Sequence, residues 1–194
     1  MISAELLKQL RDETGISMTE CKKAIEESNG DIKRAKEILR EKGQSLIKER
    51  GERGALQGII ESYIHTNGKI GVLLQLNCES DFVAKSDDFK KLAHEICLHI
   101  TAAKPLFVRA EDINADLLDG ERKIYQKQME GSGKPQNLVD QIVEGKLNKY
   151  KKEVSLLSQP WVKDTSKAIQ DLLNEVRAKV GEKVEVGRFT RYEI

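Results

Sequence analysis

No stretch of this sequence stays apolar for the roughly 20 residues a membrane-crossing helix needs. Nor does one charge dominate: 33 basic and 32 acidic residues leave a formal net charge of +1. So even a balance argues against a broad nucleic-acid-binding surface, while a local basic patch stays compatible with it. Cysteine is scarce and odd in number. Cys21, Cys78 and Cys97 form no close pair of the kind zinc sites use, and Cys21 and Cys97 fall in helical apolar patterns. They read as reduced thiols packed like small apolar side chains. Histidine is scarce too. His94 and His99 are five residues apart, which misses the i, i+4 spacing of a helical zinc pair. Cys97 and His99 are two apart and do not face each other on a helix. Glycine-rich phosphate loops of the forms GxxxxGKS, GxxxxGKT and GxGxxG are missing. Glu79 and Asp81 stand close together, but nothing in the sequence supplies the cleft that a carboxylate pair would need. No metal, no cofactor and no covalent chemistry are expected. The N-terminal "MISAELLKQLRDE" is amphipathic and carries acids, unlike a secretory leader, and the expected location is the cytoplasm.

What is present is enough for a folded chain: 39% hydrophobic and 34% charged residues among 194. The first 45 residues read as a small three-helix domain. Leu6, Leu7 and Leu10 form one apolar stripe; Met18, Cys21, Ala24 and Ile25 a second; Ile32, Ala35, Ile38 and Leu39 a third. Ser3 and Gly15 bound the first helix, and Ser17 with Glu20 has the spacing of a capping box. Asn29-Gly30 stops the second helix, Asp31 starts the third and Gly43 ends it. So small a core suits a docking module better than a deep pocket. Arg11, Met18 and Thr19 are the candidates at its exposed corner, with Met18 equally readable as core.

Residues 46–57 read as a linker and 58–194 as an α+β body. "GIIESYIHT" and "KIGVLLQLN" flank Asn67-Gly68, a strong hairpin signal. Residues 87–103 carry Phe89, Leu92, Ala93, Ile96 and Ile100 at helical spacing, and Lys104-Pro105 ends that helix. Further helices are predicted from Ala115, from Pro135 and from a cap at Thr165, followed by a terminal strand in "KVEVGRFTRYEI". The expected core has two layers, a three-stranded antiparallel sheet packed by helices. The run "KLNKYKKE" reads first as a solvated helix face and second as an RNA contact.

The junction "LNCESDFVAKSDDF" is the place where function could sit. Ser80 or Asp81 can cap a short turn there. Phe82 and Val83 read either as anchors of that turn in the core or as an exposed wedge for a partner.

"TGISMTECKKAIEESNGDIKRA" and "NCESDFVAKSDDF", continued by "HITAAKP", "QPWVKD" and "GRFTRYEI", resemble the signature regions of the bacterial elongation factor Ts family over essentially the whole chain. The resemblance implies a guanine nucleotide exchange factor that binds elongation factor Tu with GDP, speeds GDP loss and leaves when GTP refills the site. It implies that the head is ubiquitin-associated-like and that Arg11, Met18 and Thr19 touch the GTPase domain. It further implies that Phe82 enters a cleft between two helices of that domain, flanked by Ser80 and Val83, and that Asp81 disturbs magnesium support near the phosphates. His99 is implied to belong to the same contact region, and the C-terminal strand to support contact with the partner's third domain. Ser80 stands where the family usually has Thr and keeps the hydroxyl. Thr190 stands where a short, dimerising relative has Cys, which excludes a disulfide there and leaves noncovalent homodimers or two-plus-two complexes with elongation factor Tu open. Neither membrane nor direct nucleic-acid contact is implied. The alternatives are a general protein-binding adaptor built on the head and an RNA-binding accessory using residues 146–152.

Overall fold

Burial alternates along residues 70–78. Val72, Leu74, Leu76 and Cys78 are buried, while Leu73 between them is 51% exposed. Successive strand side chains point to opposite faces, so one face of this strand is covered by protein and the other is open. The structure is a computed structural model that describes residues 4–14, 16, 18–49 and 54–194, the side chains of 43–49 excepted. In chain order its elements are α1 (Ala4–Thr14), α2 (Met18–Glu27), α3 (Ile32–Glu49), β1 (Gln57–Ile64), β2 (Ile70–Cys78), α4 (Asp81–Lys85) and α5 (Asp87–Ala103). They continue with α6 (Ala115–Met129), α7 (Gln136–Val154), β3 (Pro160–Trp161), β4 (Asp164–Ala168), α8 (Ile169–Val180) and β5 (Val184–Glu193). The sheet order is β1-β2-β5, with β3 and β4 forming a separate two-stranded ribbon. The Ile194 amide donates to Lys69 O just before β2 begins, and the Lys183 amide donates to Glu79 just after β2 ends. β5 therefore runs antiparallel to β2, and the α+β architecture matches the expectation.

The chain divides into two compact units. The first takes Met1–Glu61, Leu74–Glu95 and Asp171–Gly187. Its helical head has the expected core, Leu10, Cys21, Ala24, Ile25, Ala35, Ile38 and Leu39, with Leu6, Leu7, Ile16 and Ile32 packed against it. Asn29 at φ 52 and Gly30 at φ 89 end α2 in left-handed backbone, as Asn-Gly predicts. Asp31 Oδ1 accepts the Lys33 and Arg34 amides and caps α3. Gly43 does not end α3, which continues to Glu49. A helical glycine costs only about 1 kcal/mol, and the flanking Glu, Lys, Gln and Leu favour helix. The predicted roles of Ser3, Gly15 and Ser17 lie outside the described residues.

The second unit takes Ser62–Leu73, Ile96–Gln170 and Arg188–Ile194. The β1–β2 hairpin turns within it, though not through a two-residue loop. The His65 amide bonds to Ile70 O at 2.8 Å, and inside that loop the Gly68 amide bonds to His65 O at 2.8 Å. Gly68 has φ 67, whereas Asn67 keeps ordinary backbone and uses its side chain to accept the Lys69 amide at 2.9 Å. Helix α5 has the predicted bounds, and Lys104 at φ 51 supplies the left-handed residue that stops it ahead of Pro105. Pro135 sits at the cap of α7, one position before the helix proper. Thr165 caps nothing: it lies in β4, and α8 starts at Ile169, whose amide bonds to Gln159 O. That ribbon is short and has little apolar alternation, and Asp164 Oδ1 holds its turn by accepting the Ser166 amide and hydroxyl.

Gly58 has φ +153, and a Cβ there would lie 2.2 Å from Leu76 O. Glycine is thus required where β1 passes close to β2. Gly58→Ala is expected to cost at least about 1–3 kcal/mol in urea unfolding from backbone strain. A variant as stable as the parent would contradict the close approach.

Candidate functional site: an exposed phenylalanine on a five-residue helix

After β2 the backbone must turn, and Ser80 makes the turn. Its extended backbone and side-chain oxygen, which accepts the Val83 amide at 3.3 Å, form the N-cap of α4. The Ser80 carbonyl accepts the Ala84 amide at 3.3 Å and the Cys78 thiol at 3.1 Å. Ser86 closes the other end, its hydroxyl donating to Val83 O at 2.7 Å and accepting the Phe89 amide at the start of α5. The sequence marks Ser80 as a cap but not this role of Ser86, for which a serine three residues before the apolar Phe89 is the local signal.

On this turn the side chains divide sharply. Val83 and Ala84 are buried, each 6% exposed, whereas Phe82 is 83% exposed. Of the two sequence readings of the pair, Val83 follows the anchor and Phe82 does not. Leaving a Phe ring in water forgoes about 1.5–3 kcal/mol that burial would supply. Asp81 is also exposed, and its carboxylate accepts a hydrogen bond from Lys85 Nζ at 2.8 Å. That bond, with the lysine charge, holds the Asp81 carboxyl below the usual 3.8. The residue therefore carries its negative charge at neutral pH. Cys78 behind the turn is buried, and desolvation, with the charge of Glu182, raises its thiol pKa. Cys21 and Cys97 are buried thiols as well.

His99 sits in the second unit and is fully buried. The Val162 amide donates to Nδ1 at 3.4 Å, which leaves the proton on Nε2 to meet Gln159 Oε1 at 2.9 Å. Gln159 in turn donates to the Ala103 and Glu153 carbonyls. Burial lowers the His99 pKa, against the opposing hydrogen bond that His99 donates to Gln159. In the free protein the side chains of His99 and Val83 are buried and present almost no surface to solvent. His94 points elsewhere, 3.4 Å from Glu61.

Arg11 near the end of α1 and Met18 and Thr19 at the start of α2 are all exposed, Met18 at 43%. Met18 is therefore not part of the head core. In the basic run, Lys146 donates to Gln128 and lies 5.4 Å from the centre of the Tyr125 ring, the arrangement of a helix-pair contact. Among the described residues no group of three or more His, Cys, Asp or Glu side chains could hold a metal ion, and no helix is long and apolar enough to cross a membrane.

The family model described as Elongation factor TS matches residues 5–194. The chain is 50% identical over 193 residues to elongation factor Ts of Desulforamulus reducens, covering 100% of this chain and 89% of that protein. It is also 50% identical to elongation factor Ts of Coprothermobacter proteolyticus and 48% identical to that of Thermotoga maritima. Each of these matches covers all of this chain, with 98% and 96% of the respective relative.

A buried neutral imidazole has a definite pH signature. The unfolded chain binds a proton near pH 6.5 that the folded chain resists, so the contribution is complete above pH 6.5 and declines as pH falls below it. Glu193, drawn down to about 2 by Arg191 and Lys104, stays charged across that window. The thermal midpoint is expected to fall between pH 7.5 and 5.5, and His99→Asn to flatten that fall. An unchanged slope in a folded His99→Asn protein would contradict the assignment.

Proposed function

The chain belongs to the elongation factor Ts family, whose members are nucleotide exchange factors without covalent chemistry for elongation factor Tu, and we propose that its exchange device is the Asp81-Phe82 turn. One observation carries this reading: a phenylalanine 83% exposed beside two residues that are 6% exposed, at the turn that joins a buried strand to a long helix. Phe82 enters an apolar gap between helices of the GTPase domain. Asp81, ionised and adjacent, disturbs the groups that support magnesium at the phosphates. The head, residues 1–45, docks through Arg11, Met18 and Thr19. The factor acts in the cytoplasm, on elongation factor Tu with GDP bound and on the nucleotide-free form.

The mechanism is linkage. A factor that binds the nucleotide-free partner more tightly than the GDP-bound partner must weaken GDP by the same ratio. Weakening GDP by about 10³ takes about 4 kcal/mol. Burying one Phe yields about 1.5–3 kcal/mol, so the ring supplies a large share and the loss of magnesium support the rest. An exposed ion pair at the rim would not suffice.

Apolar side chains left exposed in one unit, Ile64, Leu73, Tyr192 and Ile194, support noncovalent pairing of two copies through their terminal strands. Thr190 in β5 offers no thiol for a covalent link. The adaptor and RNA-accessory readings predict no acceleration of GDP release, and family membership weighs against both.

Phe82→Ala is expected to fold with the parent's stability and to lose about 10–100-fold in stimulated GDP release, read by stopped flow. Parental release from a folded variant would remove the wedge. Asp81→Asn is expected to show a defect that varies with magnesium concentration; equal rates with the parent at low and high magnesium would remove that role. Met18→Asp is expected to weaken association in titration calorimetry and to leave the saturated release rate intact. Unchanged affinity would remove the docking corner.

A further inference from the structure

Resting on the reading of Phe82 as the exchange wedge, we infer that Glu182 is its positioning residue, a carboxylate that braces the Ser80 cap and so sets the direction in which the ring leaves the protein. Glu182 lies in the turn between α8 and β5, 102 positions from Ser80 in sequence. Its Oε2 accepts the Ser80 amide at 3.0 Å and its Oε1 accepts the Ser80 hydroxyl at 2.7 Å. Both donors of the cap residue therefore end on one carboxylate, and bonds to an ionised acceptor are the stronger kind. With its proton committed to Glu182, the Ser80 hydroxyl presents a lone pair to the Val83 amide at 3.3 Å. The carboxylate thus fixes the polarity of the cap as well as its place.

A second carboxylate makes the brace reciprocal. Glu79 Oε1 accepts the Lys183 amide at 2.7 Å, so Glu79-Ser80 and Glu182-Lys183 each bind the other's backbone or side chain. The segment that carries Glu182 is itself held. Gly181 at φ +69 ends α8 with its amide on Arg177 O at 2.9 Å, and Arg177 Nε donates to Val184 O at 2.7 Å on the far side of the turn. Arg177 also reaches Asn174 on α8 at 3.1 Å. The turn that carries Glu182 is thus tied to α8 by Arg177 and, through Ser80, to the first turn of α4.

Such bracing does not bury the wedge, since Phe82 stays in water. It reduces the orientations the ring can take before the partner arrives, and so lowers the ordering cost of insertion. Removing it should slow the step in which the ring acts more than the encounter that precedes it.

The test compares Glu182→Ala, Glu182→Gln, Phe82→Ala and the Glu182→Ala/Phe82→Ala double variant. Release of a fluorescent GDP analogue from elongation factor Tu is followed by stopped flow across factor concentrations, with thermal midpoints as the check on folding. Glu182→Ala is expected to lower the saturated release rate about tenfold and to leave the half-saturating concentration within about twofold. Glu182→Gln keeps the volume and one acceptor oxygen, and is expected to lose about threefold. In the Phe82→Ala background the Glu182→Ala change is expected to alter the saturated rate by less than about twofold, because the residue acts through the ring. A parental saturated rate in Glu182→Gln, or in a folded Glu182→Ala protein, overturns the positioning role. An undiminished Glu182→Ala effect in the double variant overturns it as well. Phe82→Ala at the parental rate overturns the wedge reading itself. A slow Phe82→Ala beside a full-speed Glu182→Ala overturns the positioning role alone.

Discussion

A five-residue helix cannot hold itself together in water, because nucleating a turn fixes several backbone angles for the first hydrogen bond gained. Helix α4 therefore exists only through what borders it: the Ser80 cap in front, Ser86 behind, and Val83 with Ala84 pressed into the protein beneath. Those anchors leave Asp81, Phe82 and Lys85 in solvent, with Asp81 and Lys85 bonded to each other. The geometry is economical in one sense only. The same turn that buries Val83 and Ala84 leaves Asp81 and Phe82 in water.

This division connects stability to activity. Contacts that hold the turn are made in the free protein, whereas the apolar surface of Phe82 is left in water, the surface that the proposed wedge would bury. Under reciprocal linkage, only interactions stronger in the nucleotide-free complex than in the GDP complex can drive exchange. An exposed ring that gains its burial on insertion belongs to that class. The Asp81–Lys85 pair is different. It draws the carboxyl pKa down further in the free protein, and its bond is made on an exposed surface where a competing partner group can replace it.

Much of the fold was legible in the sequence wherever periodicity was strong. Helix α5 has the predicted bounds because five apolar residues mark one face and a left-handed Lys104 before Pro105 marks the end. The head core was legible for the same reason. Met18 was not, because a methionine at the edge of an apolar stripe satisfies either reading until its surroundings are known. The β3–β4 ribbon escaped notice because two- and five-residue strands with mixed side chains carry almost no period, and Thr165 looks like a cap in its absence. Asn67-Gly68 marked the hairpin correctly but not the loop, since Asn67 spends its side chain on Lys69 rather than adopting left-handed backbone. At the site, the junction and its Ser80 cap were readable locally. The Glu182 carboxylate was not, because no local pattern links residues 102 positions apart.

The central claim is that the Phe82 ring, in water when the protein is alone, becomes buried in elongation factor Tu. A trifluoromethyl-phenylalanine placed at position 82 reports this directly by fluorine NMR in the presence of a soluble paramagnet. The ring signal is expected to be strongly broadened in the free protein and protected on addition of nucleotide-free elongation factor Tu. A signal that stays as accessible in the complex as in the free protein would contradict the account.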